Sequence, residues 1–281
     1  MPPYVPPEII DIILGYADDE LLCTCTLVCH VWLETSRRHL FQRIALVRAT
    51  AYDSFIRQIV HCRRMAPWLK LARILFYSEE SANQNRGNRI FLELAGQLPN
   101  LSSLILDSLD FTKSLHLRAH HGLSRFTYVR ELWLQTCVFP SLATLRRCCA
   151  ALPNLRNLCL SEIVLTASTS SEIILDHFYA RPALDTLSIE LDPEYPNAVS
   201  QWLSHTPTAY SLRRFMVASS QLQYYWDTFG STTTSLDIIL SSPYGELRLD
   251  APRPSSSWLN INRYLLPTIF HAAAVCHHQR R

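Results

Sequence analysis

The fold of this chain is decided by a nine-residue pattern that occurs twice almost unchanged, as Leu98-Pro99-Asn100-Leu101-Ser102-Ser103-Leu104-Ile105-Leu106 and as Leu152-Pro153-Asn154-Leu155-Arg156-Asn157-Leu158-Cys159-Leu160. In each copy a proline ends any preceding helix, and the apolar residues after it have the spacing apolar-x-x-apolar-x-apolar. In the last three positions, leucines alternate with a variable residue, which is the spacing of a strand that buries one face. The pattern therefore predicts a helix, a turn and a short strand in succession.

The same apolar spacing recurs along most of the chain at steps of 24 to 30 residues. One copy means little in a leucine-rich sequence, but a near-constant period of this length is typical of stacked repeats. The copies are Phe41-x-x-Ile44-x-Leu46, Leu71-x-x-Ile74-x-Phe76, Leu101-x-x-Leu104-x-Leu106, Val129-x-x-Leu132-x-Leu134, Leu155-x-x-Leu158-x-Leu160, Leu184-x-x-Leu187-x-Ile189 and Leu212-x-x-Phe215-x-Val217, with a weaker one that begins at Leu236.

The segments between these copies have helical spacing, as in Ile90, Phe91, Leu94 and Leu98. A single helix and strand cannot bury the apolar face that they share, whereas stacked neighbours bury it against one another. The sequence therefore predicts an α/β fold in which the repeats form an irregular solenoid with a parallel sheet.

The strand pattern also predicts a binding surface on the concave face of the sheet. Side chains alternate along a strand, so the residue between the last two apolar positions points away from the core. Trp133 is the largest of these residues, and tryptophan is enriched at binding hot spots. The alternative is that a loop of the same chain covers it. The outward set is Leu75, Ile105, Trp133, Cys159, Ser188 and Met216, followed by Tyr77, Asp107, Gln135, Ser161, Glu190 and Ala218, and the residues predicted to bind a protein ligand are Ile105, Trp133, Gln135, Cys159 and Met216.

Before the repeats, the first 41 residues predict three short helices. Pro6, Pro7 and Glu8 are favourable in a first turn, where proline lacks only an unpaired N–H and a carboxylate faces the helix dipole. Asp18 or Asp19 is placed to cap the second helix. Three helices in about forty residues are near the lower limit of independent stability, so such a unit generally needs a partner.

The ordered set of Pro6, Glu8, Ile9, the paired leucines at 21 and 22, and Val28-Cys29-x-x-Trp32 resembles the F-box, with Val5 where leucine is usual. The resemblance implies docking onto a Skp1-type protein in a cullin-containing ubiquitin ligase. By position, the residues that it implies for docking are Pro6, Pro7, Glu8, Ile9, Ile12, Ile13, Leu21, Leu22, Val28, Cys29 and Trp32.

The repeats resemble leucine-rich repeats, and the whole chain resembles F-box/LRR-like proteins, which are numerous in mushroom-forming fungi. The chain departs from the repeat family at the position that usually holds Asn or Cys, three residues after the last strand leucine. Only Cys137 fits the family pattern there. We therefore expect an irregular arc.

Composition narrows the class of protein. A net charge of +2 indicates no preference for nucleic acid, and no secretory signal or membrane-length apolar run is present. A cytoplasmic or nuclear location with reduced thiols follows as an expectation, and the nine cysteines are interpreted as small buried apolar residues. His271, Cys276, His277 and His278 lack complete metal-ligand spacing, so neither a metal nor a cofactor is predicted.

These patterns predict three regions: an F-box-like helical unit at 1–41, a repeat solenoid at 42–250, and a linker with a C-terminal capping helix or tail at 251–281. No catalytic motif is present, so we expect no enzyme. The predicted function is a substrate-recognition adaptor of a Skp1–cullin–F-box ubiquitin ligase that captures an unknown protein substrate. The alternative is a Skp1-independent repeat protein whose N-terminal helices are only a structural cap.

Overall fold

The structure is a computed structural model that describes residues 5–47, 49–61, 66–78, 87–112, 117–166, 182–191 and 195–239. The predicted C-terminal region at 251–281, including its histidines and Cys276, lies outside these residues.

Helices and strands alternate along most of the described chain, after three consecutive helices at the start. The helices are α1 (Pro7–Gly15), α2 (Asp19–Cys25), α3 (His30–Gln42), α4 (Ala49–His61), α5 (Ala66–Leu69), α6 (Gly87–Glu93), α7 (Leu117–Ser124), α8 (Leu142–Ala150), α9 (Pro196–Ser204), α10 (Thr208–Ser211) and α11 (Leu222–Phe229). The strands are β1 (Arg43–Leu46), β2 (Ile74–Ser78), β3 (Ser103–Asp107), β4 (Glu131–Gln135), β5 (Val138–Phe139), β6 (Asn157–Ser161), β7 (Val164–Leu165), β8 (Thr186–Glu190), β9 (Arg214–Ala218) and β10 (Ser235–Ile239).

Eight strands form one parallel sheet in the order β1-β2-β3-β4-β6-β8-β9-β10, and β5 pairs with β7 separately. The order never reverses, so each new strand is added on the same side of the previous one. Connections between parallel strands are right-handed, which places successive helices on one face of such a sheet. The prediction of an α/β fold with a parallel sheet is confirmed. The opposite face of the sheet, called the open face below, is not covered by these helices.

The core lies between the helices and the sheet, and its members alternate along each strand. Leu132 and Leu134 of β4 are fully buried, while Glu131, Trp133 and Gln135 are half-buried on the open face. The same alternation occurs in β6 and β8. One continuous cluster of buried side chains runs from Ile44 to Phe229, so neighbouring units share a single core.

One predicted strand copy has the wrong register. Leu75 and Tyr77 of β2 are buried, at 0% and 3% exposure, and they pair with Leu104 and Leu106 of β3. Phe76, predicted to be in the core, lies on the open face opposite Ile105. The apolar series is therefore Ala72-x-x-Leu75-x-Tyr77. In the sequence Leu71-Ala72-Arg73-Ile74-Leu75-Phe76-Tyr77 both registers supply apolar residues, and a shift of one residue exchanges the two faces.

The two matching Leu-Pro-Asn-Leu turns have the same role in linking adjacent units. The side-chain amide of Asn100 donates to the Lys70 carbonyl at 2.6 Å, and that of Asn154 donates to the Thr127 carbonyl at 2.7 Å. These two polar links between units lie at the amino ends of the strands. At the position where Asn or Cys was expected, Leu109 is buried in the apolar core.

Cys137, which holds that position in its own unit, forms contacts with the backbone. Its thiol donates to the carbonyls of Gln135 at 3.1 Å and of Leu106, in the preceding unit, at 3.5 Å. Burial raises the pKa of this thiol to about 12, so it remains a protonated donor at neutral pH. Cys148 and Cys149 are buried core residues, as interpreted from the sequence, whereas Cys29 is exposed.

Gly122 of α7 occupies a place where no larger residue fits. A Cβ atom there would lie 2.2 Å from the carbonyl oxygen of Phe91 in α6. We expect Gly122→Ala to lower the free energy of unfolding by about 2 kcal/mol, because the two helices must separate. Gly15→Ala is the control, since its Cβ would meet nothing closer than 3.7 Å. Urea denaturation followed by circular dichroism measures both, and equal stability of the two variants would contradict this packing.

Two buried tyrosines should respond oppositely to the loss of the same hydroxyl. The hydroxyl of Tyr225 is buried without a hydrogen-bond partner in the described chain, whereas Tyr52 donates to Glu93 Oε2 at 2.6 Å. A buried unsatisfied donor costs about 1–3 kcal/mol. We therefore expect Tyr225→Phe to raise the free energy of unfolding by about 1 kcal/mol and Tyr52→Phe to lower it by about as much. Destabilisation by Tyr225→Phe would show that its hydroxyl has a partner.

Candidate binding surfaces

The three N-terminal helices enclose only a small core. Ile10, Leu14, Leu22 and Cys25 are buried together, and Trp32 packs against them. The helix ends follow the expected chemistry. Pro7 begins α1, and the carboxylate of Asp18 caps α2 by accepting from the Leu21 N–H at 2.8 Å. So few buried residues leave most of the apolar side chains of this region outside.

Those outside side chains form a concentrated apolar surface. Nine of the sixteen large apolar residues exposed in the described chain lie within its first 31 residues. A concentration of exposed apolar side chains is typical of interaction sites. We call it the N-terminal apolar face, and its members are Val5, Ile9, Ile12, Ile13, Tyr16, Leu21, Leu27, Val28 and Val31.

The structure separates the predicted docking residues into two groups. Leu22 is 4% exposed and belongs to the small core, and Trp32 is half-buried against it, so these two side chains support the surface from below. The exposed group is Pro6, Pro7, Glu8, Ile9, Ile12, Ile13, Leu21, Val28 and Cys29.

Val5, Tyr16, Leu27 and Val31 were absent from the predicted set, although all four are exposed. For Tyr16 the sequence held a usable signal, because it continues the helical spacing of Ile9, Ile12 and Ile13. Leu27 lies in the turn between two helices, and Val31 is the second residue of α3. Helical periodicity does not continue through that turn, so only the fold identifies them.

Helix α3 joins this unit directly to the sheet. It ends at Gln42, and β1 begins at the next residue. The ring of Phe41 stacks on Trp68 at a centroid distance of 5.7 Å, and the Arg37 guanidinium lies 6.0 Å from the Trp68 ring. The backbone N–H of Arg73 donates to the Gln42 carbonyl at 2.9 Å. These contacts fix the N-terminal unit to the first strands.

The open face of the sheet is the second candidate surface. Phe76, Ile105, Trp133 and Cys159 occupy four successive strands and pair directly with one another, which gives an apolar strip about 15 Å wide. All four side chains are half-buried. Burial raises the pKa of Cys159 to about 11, so its thiol is uncharged at neutral pH.

The predicted ligand-binding residues all lie on this face. Ile105, Trp133 and Cys159 belong to the strip, and Met216 continues the same row beyond Ser188. Gln135 lies two residues after Trp133, toward the carboxyl ends of the strands. Phe76 was not in the predicted set, because the predicted register of β2 placed Leu75 on the open face. Phe76 lies there instead. For the same reason Ser78, and not Tyr77, pairs with Asp107 at the carboxyl end of β3.

The carboxyl ends of three neighbouring strands share an unusual backbone conformation. Ser108, Thr136 and Glu162, each one residue past its strand, have φ values of 56°, 46° and 53°. This left-handed region costs a non-glycine residue about 1 kcal/mol. Hydrogen bonds offset the cost: the Thr136 hydroxyl donates to Asp107 Oδ1, and Ser78 Oγ donates to Asp107 Oδ2 at 3.0 Å. Asp107 and Glu162 place two acidic side chains at this edge of the sheet.

Within the described residues no helix is long and apolar enough to cross a membrane. In the same part of the chain, no group of three or more His, Cys, Asp or Glu is arranged to hold a metal ion. Comparison with protein-family models and with curated proteins finds no match to this chain.

Proposed function

We propose that this chain is a substrate-recognition adaptor of a Skp1–cullin–F-box ubiquitin ligase. Its N-terminal apolar face docks on a Skp1-type protein, and its leucine-rich-repeat-like sheet presents the open face to a protein substrate. The protein contributes proximity and orientation and carries out no bond chemistry itself.

The concentration of nine exposed apolar side chains on one small helical unit carries this proposal. Fully burying an isoleucine or leucine side chain contributes about 1.5–3 kcal/mol, so a partner that covers even three of them gains substantial affinity. The order of proline, acid, paired leucines and Val-Cys-x-x-Trp along the sequence resembles the F-box. This resemblance is the reason for proposing a Skp1-type protein as the partner.

The connection between the two surfaces also supports the proposal. An adaptor that works by proximity must hold its substrate in a defined orientation relative to the docking end. Helix α3 runs without a linker into β1, and the Phe41–Trp68 stack braces that junction. A flexible linker there would have argued against the role.

The direct test mixes the purified full-length chain with a purified Skp1-type protein and measures complex formation by size-exclusion chromatography and calorimetry. We expect a 1:1 complex. If the folded chain does not bind, the alternative is favoured: a Skp1-independent repeat protein whose N-terminal helices are only a structural cap.

The paired leucines should separate docking from stability. Leu21 is 52% exposed and Leu22 is 4% exposed. We expect Leu21→Ala to weaken Skp1 binding by about tenfold with little change in stability, since it removes only surface contacts. Leu22→Ala should destabilise the helical unit by about 2–4 kcal/mol, because it leaves a cavity. Thermal denaturation alongside calorimetry distinguishes the effects, and identical behaviour of the two variants would contradict this placement.

A further inference from the structure

The two edges of the eight-stranded sheet differ in how well the core beside them is covered. One row of the ladder takes a core residue from each strand, and seven of its eight members are at most 3% exposed. The row consists of Leu46, Tyr77, Leu106, Leu134, Leu160, Ile189, Val217 and Ile238. Ile238 of β10 is 46% exposed, whereas Leu46 at the opposite edge is fully buried. The core is therefore closed beside β1 and uncovered beside β10.

Helix α11 is uncovered at the same end of the molecule. The hydroxyl of Ser200 in α9 donates to the Tyr224 carbonyl at 2.9 Å and lies 3.3 Å from the Thr228 hydroxyl, so this flank of α11 faces the preceding unit. Successive helical residues are about 100° apart, which places Trp226 on the opposite flank. Trp226 is 47% exposed. We call Trp226, the half-buried Leu236 and Ile238 the C-terminal end surface.

An uncovered end is unfavourable for stacked repeats. A terminal unit needs a cap, and an unpaired edge strand can pair with another chain. Within the described residues β10 pairs only with β9. The segment that follows β10 in the sequence is attached to this edge directly, so it has a higher effective concentration there than a second copy or another protein has.

The sequence after β10 has the pattern of a hairpin. Leu247 and Leu249 alternate with charged residues over positions 246–250, as in a strand with one buried face. Ser242-Pro243-Tyr244-Gly245 has the residues that a type I turn prefers at its first, second and fourth positions. Only seven residues separate Ile239 from Leu247, whereas a crossover to a parallel strand takes about a dozen. A strand at 246–250 can therefore pair with β10 only in the antiparallel direction.

We infer that residues 246–250 pair antiparallel with the free edge of β10 and cover the C-terminal end surface. The turn at 242–245 places Leu249 opposite Ile238. Directly opposite residues share one face of a sheet, so Leu247 and Leu249 lie on the helix side, where Ile238 and Trp226 are exposed. This pairing closes the edge against association with a second copy. It does not depend on the adaptor role proposed above.

Amide hydrogen exchange of the full-length chain, followed by mass spectrometry, tests the pairing. We expect peptides within 246–250 to exchange at least about 100-fold more slowly than an unstructured chain. This protection should be the same at about 1 µM and about 50 µM protein, because a contact within one chain does not depend on concentration.

A disulfide cross-link tests the register. Ile238→Cys with Leu249→Cys should form a disulfide under mild oxidation, since the Cβ atoms of opposite residues are about 5 Å apart. The control pair, Ile238→Cys with Leu247→Cys, is diagonal, at about 7–8 Å, and should not. Mass spectrometry of the digested protein distinguishes these bonds from any that involve the native cysteines.

Single substitutions test which face is buried. Leu249→Asn should speed exchange of β10 at 235–239 by at least about tenfold, because its strand loses an apolar contact with the core. Arg248→Asn places the same side chain one residue earlier, on the opposite face, and should leave that exchange within about twofold. Equal effects of the two substitutions would contradict the alternation.

Three results would overturn the inference. Exchange of 246–250 at the rate of an unstructured chain would leave the C-terminal end surface open to another protein. Protection that falls on dilution would assign the surface to a second copy. Equal disulfide yields from the two cysteine pairs would reject the register. If a variant does not fold, the exchange of the unmodified chain still decides.

Discussion

Replacing Ile9 with aspartate is expected to weaken binding of a Skp1-type protein by about 100-fold or more, which corresponds to about 2.8 kcal/mol. Ile9 is 46% exposed and lies on the same face of α1 as Ile12 and Ile13. In a complex its side chain would be covered by apolar surface, where an unpaired carboxylate is strongly unfavourable.

Because of the position of Ile9, this substitution should not destabilise the uncomplexed protein. Ile9 lies in the first turn of α1, two residues after Pro7, where the helix dipole favours a carboxylate. We therefore expect the thermal midpoint of Ile9→Asp to match that of the unmodified chain. A loss of affinity then reports on docking, and not on unfolding of the helices.

The chain offers a closely matched control in Leu92→Asp. Leu92 has the same exposed fraction, 46%, but lies on α6 among the repeats. The same charge and the same loss of apolar area at that site should leave Skp1 affinity within about twofold, since solvent-exposed substitutions change free energies by about 0.5 kcal/mol or less. If both variants bind alike, docking does not use the N-terminal apolar face.

The second large effect is expected in the core, where Phe111→Ala should lower the free energy of unfolding by about 3–5 kcal/mol. Phe111 is 5% exposed, and its ring lies between two others from neighbouring units. The centroid distances are 6.4 Å to Phe91 and 4.3 Å to Phe139, and both pairs are stacked. Truncation removes both ring contacts and leaves a cavity shared by three units.

The control for this prediction is Tyr128→Ala, which removes an aromatic ring that is 62% exposed. Its effect should stay below about 0.5 kcal/mol. Urea denaturation followed by circular dichroism measures both variants. Because stability in stacked repeats depends on interfaces between neighbours, the loss at Phe111 should also broaden the transition. A difference of less than about 1 kcal/mol between the two variants would contradict the ring stack.

Local periodicity was sufficient to predict the class of fold and most of the strands. Seven of the eight main strands begin near a predicted apolar copy, because buried strand residues must alternate and must recur once per unit. The eighth, β10, is also in place, although Leu236 pairs with Phe215 and so holds the second apolar position of its unit. The proline turns at Pro99 and Pro153 lie between helix and strand as predicted.

Periodicity failed where two registers were equally apolar. Nothing local distinguishes Leu75 from Phe76, and pairing with β3 decides that Leu75 is buried. The same limit applies to the docking residues. The sequence grouped Leu21 with Leu22, yet only the packing of α1 and α3 on α2 makes one exposed and the other core.

By itself, then, the amino-acid sequence determined the α/β repeat pattern, the three N-terminal helices and the row that holds Trp133, because these depend on spacing along one chain. The tertiary structure decided which apolar residues remain outside and which side chains of separate strands align to form the apolar strip. Those properties depend on the packing of the N-terminal helices and on strand register between residues about 26 to 31 positions apart. Distant contacts of this kind leave no local signal in the sequence.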